Sequence, residues 1–161
     1  MYDKHLVTLE FPKVLEILAK HTSFSAGREM ALALRPAIES QEIRERLETT
    51  SEARAFLEAR PTTSPGGAHD VRPQVQAALR GAILPPSELL NIRDTLSTAR
   101  TLHRMVTQLG ARYPRLVGIV ERIRPCPELI GEIERCLDER GNVRDEASPE
   151  LARIRREERI A

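Results

Sequence analysis

The stretch LPPSELLNIRDTLSTARTLHRMVTQLG, residues 84–110, decides the fold class. Leu89, Ile92, Leu96, Ala99, Val106 and Leu109 recur at spacings of three, four or seven. That is close to the seven-residue repeat of long packed helices. Gly110 and Pro114 close the run, so the spacing predicts one long helix from about Pro86 to Leu109 with a single apolar side.

Toward the N-terminus the same period returns in shorter pieces. Pro12 suits the first turn of a helix, where its missing N–H costs nothing, and Val14, Leu15, Ile17 and Leu18 give that helix an apolar stripe ending near His21. Ser25 is placed to cap a helix through Leu34, with Pro36 beyond its end. Ser40 is placed to cap another, running to about Arg60, on which Ile43, Leu47, Thr50, Ala53 and Leu57 share one side with Phe56 beside them. PTTSPGG at 61–67 is a breaker, and it lacks the Gly-Lys-Ser/Thr ending that a phosphate-binding loop needs. Asp70 can cap a short helix ending at Gly81.

Toward the C-terminus, helices are predicted over Pro114–Ile123 and Glu128–Leu137. DERGN at 138–142 reads as a turn, with room for one tiny hairpin near 136–144. Ser148 and Pro149 open a last helix. With no run of alternating residues and no internal repeat, the expected class is all-α. The expected core is Leu15, Leu18, Leu32, Ile43, Leu47, Leu57, Leu79, Leu96, Val106, Leu109, Val120 and Ile133.

Bulk composition narrows the function classes. The chain has 161 residues, 40% hydrophobic and 30% charged, an ordinary globular balance. A net charge of +1 supplies no global field toward nucleic acid or anionic membrane. Aromatics are 3% and Trp is absent, which leaves few rings for base stacking. No apolar run approaches the ~20 residues of a membrane span, MYDKHLVTLE holds no signal-peptide core, and only Cys126 and Cys136 are cysteines. These features place the protein in the cytoplasm, away from membranes. Lysine occurs only at Lys4, Lys13 and Lys20, and every later basic residue is arginine.

Few residues invite chemistry. His103 lies near Ile92 and Ala99 on the long helix with no second histidine in reach, the pattern of a packed histidine. His5, His21 and His69 are scattered, and two cysteines ten residues apart do not make a zinc site. No nucleophile elbow, HExxH or paired acid–base motif occurs, so no catalytic, cofactor-binding or metal residue is expected. Arg93, Arg100 and Arg104 fall in a narrow wedge of the long helix, where three guanidinium groups can meet consecutive phosphates or simply face water. Arg153, Arg155, Arg156 and Arg159 form a second cluster interleaved with Glu150, Glu157 and Glu158, from which Arg153 and Arg156 join the candidate nucleic-acid contacts.

Four stretches, in order, resemble the N-terminal region of the bacterial MutS family, type II branch. They are TLEFPKVLEILAKHTSFSAGREMALALRP at 8–36, TSEARAFL at 50–57, LRGAILPPSELLNIRDTLSTARTL at 79–102 and GNVRDEASPELARIRRE at 141–157. The resemblance implies a helical core-like domain over 1–148 and the start of a lever helix, cut short, at 149–161. It also implies a much longer parent chain. In that family the core continues through lever helices to a DNA-clamping tip and returns to a dimeric ATPase, and this branch ends in an Smr nuclease domain.

The implied parent uses ATP and magnesium and forms a homodimer. It acts on branched DNA to suppress recombination, or on stalled ribosomes. The partners expected for this chain are then the remainder of the parent and, through it, DNA or the ribosome. The phosphate loop and the nuclease motif match no position here, so the resemblance assigns no site residue. Three readings stand at this point: a non-catalytic core and lever module, a nucleic-acid-binding module using the arginine edges, and a free-standing enzyme.

Overall fold

The computed structural model describes residues 3–64 and 66–160. Pro65 of the expected 61–67 loop and Ala161 of the expected 149–161 helix thus lie outside the described residues. The helices are α1 (Asp3–Thr8), α2 (Phe11–Ala19), α3 (Ser25–Leu32), α4 (Ser40–Ala59), α5 (Arg72–Leu79), α6 (Pro86–Gln108), α7 (Pro114–Val120), α8 (Pro127–Cys136) and α9 (Pro149–Ile160). Among the described residues no sheet forms, and the class is all-α. The expected hairpin shrinks to one antiparallel bridge between Leu137 and Val143.

Helix starts follow the sequence signals with small shifts. Ser25 and Ser40 are the first helical residues rather than the caps, which fall on Phe24 and Glu39. Asp70 sits one residue before the cap position of α5, yet its Oδ1 still accepts the Arg72 N–H at 3.2 Å. Glu10 separates α1 from α2 with φ 55°, a left-handed conformation that costs a residue with a Cβ about 1–2 kcal/mol.

The chain forms two compact units. The first comprises residues 1–66 and 102–122 and the second residues 67–101 and 123–161, so α6 contributes residues to both.

In the first unit α2 packs on α1 and α3, and α4 packs on α7. Leu6, Leu15, Ala19 and Ala31 are buried among the N-terminal helices, and Phe56, Val106, Tyr113 and Val120 are buried farther along the chain. The Tyr113 ring is 1% exposed and meets Phe56 edge to face, with centroids 5.5 Å apart. Glu52 on α4 completes this junction, because its Oε2 accepts the N–H groups of Arg115 at 2.9 Å and Leu116 at 3.2 Å. Those are orphan donors of the first turn of α7, so a carboxylate from another helix does the work of a cap.

In the second unit Ile130, Ile133 and Leu137 are buried. The turn after α8 is held by Asp138, whose Oδ1 accepts the N–H groups of Arg140 and Asn142, both at 2.8 Å. Gly141 takes φ 81°, and a Cβ there would stand 3.4 Å from Pro86. His69 N–H donates to Thr95 Oγ1 at 2.9 Å and ties the segment before α5 to α6.

Several expected core positions are not buried. Leu15, Val106, Val120 and Ile133 are, but Leu18 is 42% exposed, Ile43 38%, Leu47 63%, Leu57 50% and Leu79 75%. An amphipathic period says that a helix face favours burial; it does not say that the same chain supplies the cover.

Candidate functional site

The arginines are the candidate ligand contacts that the sequence offers, and the structure separates them by what they bind. Arg93 is 8% exposed. Its guanidinium makes two bonds to Glu139, both 2.9 Å, and two to Asp94 Oδ1, at 2.9 and 2.7 Å. Burial pulls its proton affinity down, but the bonds to Glu139 and Asp94 outweigh this and hold it above the ordinary arginine value. A buried cation needs such partners. A phosphate would have to displace Glu139 to reach it.

Arg100 in the second unit and Arg104 in the first are exposed and make no ion pair or hydrogen bond through their guanidinium groups among the described residues. Each is thus available to an anion.

The C-terminal cluster divides in the same way. Arg155 donates to the Val143 carbonyl at 2.8 Å and to Asp145 at 2.7 Å, and Arg159 donates to Asp145 at 2.8 Å. These bonds fasten α9 to the 3-10 turn Asp145–Ala147. Hydrogen bonds from Arg155, then Arg159, hold the Asp145 carboxyl below the usual aspartate value. Arg153 spans one turn to Glu157 at 2.8 Å, and both are solvated. Arg156 is exposed and unpartnered among the described residues. Leu151 is half-buried and Ile154 is 48% exposed.

Sequence reasoning missed two arginines that bind the fold together. Arg135 donates to the carbonyls of Glu146 at 2.7 Å and Ala147 at 3.0 Å, and Arg115 pairs with Glu48. Nothing in local spacing signals contacts across such separations. Arg112 lies over the Tyr113 ring, 5.5 Å from its centroid, a cation–π contact that a neighbouring Arg-Tyr pair could have suggested.

Among the described residues no group of three His, Cys, Asp or Glu side chains could hold a metal ion, and Cys126 and Cys136 are free, half-buried thiols. His103 is half-buried on α6. Among the described residues no helix is long and apolar enough to cross a membrane.

Comparison with known proteins adds what the side chains do not supply. The chain is 41% identical over 160 residues to the Endonuclease MutS2 of Symbiobacterium thermophilum, covering 99% of this chain and 20% of that protein. It is 41% identical over 156 residues to the Endonuclease MutS2 of Pelotomaculum thermopropionicum, covering 97% and 20%. It is 38% identical over 160 residues to that of a Geobacillus species, covering 98% and 20%. The chain therefore spans about one fifth of the length of the curated relatives it matches. No protein-family model matches it.

Proposed function

We propose that this chain is a non-catalytic core and lever element of a MutS2-type protein, and that its task is to hold and relay rather than to react. The supporting observation is the end-to-end similarity at 41% identity to one fifth of a protein named an endonuclease. The helical architecture agrees with it, because packed helices transmit a change of state by moving as bodies. On this reading the ATP, magnesium and nuclease chemistry, the homodimer contacts and the clamp on branched DNA or the ribosome belong to the rest of such a protein. In this chain the arginines Arg93, Arg135, Arg155 and Arg159 serve the fold. The test is direct assay of the purified chain. ATP hydrolysis and cleavage of branched DNA should both stay at the buffer rate, and either activity, tracking with the chain through purification, would overturn the proposal.

A second reading rests on a separate observation. Arg100, Arg104 and Arg156 are exposed and, among the described residues, their guanidinium groups have no partner, which suits sequence-independent phosphate contact. Its test is binding of branched DNA and of ribosomal RNA across a salt series. If two or three phosphates are contacted, the logarithm of the binding constant should fall against the logarithm of salt with a slope of about −2 to −3. No binding at low salt rejects this reading and leaves the first.

A further inference from the structure

We propose that α9 is a detachable strap: one carboxylate, Asp145, docks it on the 3-10 turn, and it leaves that turn when the charge pairing is broken. Every residue involved lies in the second unit, and the inference stands on geometry rather than on the family reading.

The usual reason for a helix to stay in place is missing here. None of the described residues of α9 is buried. Leu151 and Ala152 are half-buried near its start, but Ile154 and Ile160 are 48% and 80% exposed. Its principal packing partner is the turn Asp145–Ala147. A helix of 12 residues with no covered face is marginal in water, so whatever docks α9 also keeps it helical.

Charge does the docking. Arg155 and Arg159 stand one helical turn apart and donate to the two oxygens of Asp145, at 2.7 and 2.8 Å. Arg155 also reaches the Val143 carbonyl at 2.8 Å. Asp145, Arg155, Arg159 and Glu158 line one open cleft, so water and ions reach the clasp. Exposed ion pairs hold weakly and are screened by salt. Docked and detached states therefore lie close in free energy, the condition under which a small change of charge shifts a population. Glu158 is three residues from Arg155 on the same helix, placed to take that arginine over when Asp145 releases it.

The seat is built differently from the clasp. Arg135 of α8 donates to the carbonyls of Glu146 and Ala147, and Arg144 donates through its side chain to the Leu137 carbonyl and through its N–H to the Cys136 carbonyl. Those acceptors are neutral backbone groups, and Ile130 and Ile133 of α8 are buried. Salt thus weakens the clasp before it weakens the seat. Ser148 joins the two in extended conformation, with φ −151° and ψ 136°, and is the pivot about which α9 leaves.

The test is amide hydrogen exchange of the intact chain in about 0.01 M and about 1 M sodium chloride, between which the screening length falls from ~30 to ~3 Å. Exchange over residues 155–160 should rise about threefold to tenfold with salt, while the amides of α8 keep their rates. Asp145→Asn should raise the low-salt rate of α9 by a similar factor and flatten its response to salt. Arg159→Gln, at a side chain 70% exposed, removes one arm of the clasp without disturbing the fold and should give a partial effect. Glu157→Gln is the control: it breaks the Arg153 pair within α9 and should leave the salt response in place. Exchange in α9 that ignores salt, or equal acceleration in α8 and α9, overturns the proposal. So does an Asp145→Asn chain with unchanged α9 exchange, or a Glu157→Gln chain that loses the salt response as Asp145→Asn does.

Discussion

Replacing Tyr113 by Ala should destabilise the chain by about 3–5 kcal/mol, as buried aromatic truncations do. The structure supplies the reasons. The side chain is 1% exposed and its ring meets Phe56 at 5.5 Å in an edge-to-face contact. A buried aromatic removes roughly 150–250 Å2 from water, worth about 4–6 kcal/mol at about 25 cal/mol per Å2, and this is an upper bound because the unfolded chain already hides part of that area. The edge contact adds about 0.5–1.5 kcal/mol. The hydroxyl contributes little. Its bond to the Ala55 carbonyl is 3.4 Å long, beyond the normal O–H···O range, so Tyr113→Phe should cost less than about 1 kcal/mol. Leu47→Ala is the contrast. The residue lies on an apolar stripe but is 63% exposed. About a third of a full leucine burial is lost, or roughly 0.5–1 kcal/mol. Urea titration of the three variants, followed by far-UV circular dichroism, reads all three values. A cost below about 1 kcal/mol for Tyr113→Ala, or above about 2 kcal/mol for Leu47→Ala, would refute the placement of the core.

Glu52→Gln should cost about 0.5–1.5 kcal/mol and speed hydrogen exchange at the first amides of α7, since it weakens the acceptor for two of them. Unchanged exchange at Arg115 and Leu116 would show that the carboxylate does not cap that helix. Arg93→Ala should cost about 1–3 kcal/mol, because it leaves a void and removes four hydrogen bonds to Glu139 and Asp94, whereas Arg100→Ala and Arg104→Ala should stay within about 0.5 kcal/mol of the wild type. The Asp145 carboxyl is held low first by Arg155 and then by Arg159, so its contribution is complete above the ordinary aspartate value of about 3.9 and is lost as pH falls through the lower folded value. Amide exchange in α9 should therefore accelerate in that acid window, and Asp145→Asn should remove the pH dependence.

The long helix was legible because α6 repeats one period for six turns and has breakers at both ends. α4 was legible for the same reason, and so were the breaker before α5 and the turn at 138–142. Burial was less legible. Val106 and Leu47 occupy equivalent places in their patterns, yet one is 5% exposed and the other 63%. Periodicity fixes which face is apolar, and tertiary packing decides whether that face is covered. Tyr113 showed no periodic signal, because its burial depends on α4 meeting α7. Arg93 looked like its neighbours on the helix wedge, and its bonds to Asp94 and to Glu139, forty-six residues away, distinguish it. Among the candidate contacts, exposure and partners separated Arg100, Arg104 and Arg156 from Arg93, and Arg153 from Arg156. None of that is encoded in spacing along one helix.

The most direct test of the central claim is a chimera. This chain would replace the matching fifth of the Symbiobacterium thermophilum Endonuclease MutS2, to which it is 41% identical. On the proposed reading such a protein couples ATP to its hold on branched DNA, so binding of a four-way DNA junction with and without ATP would then be measured for the chimera, for the unaltered protein and for the same chimera carrying Tyr113→Ala. If the chain is an interchangeable core and lever element, the chimera should keep junction affinity and its response to ATP within about threefold, a coupling change under about 0.7 kcal/mol, and Tyr113→Ala should lower both. A folded chimera that hydrolyses ATP but no longer changes its hold on the junction would contradict the account.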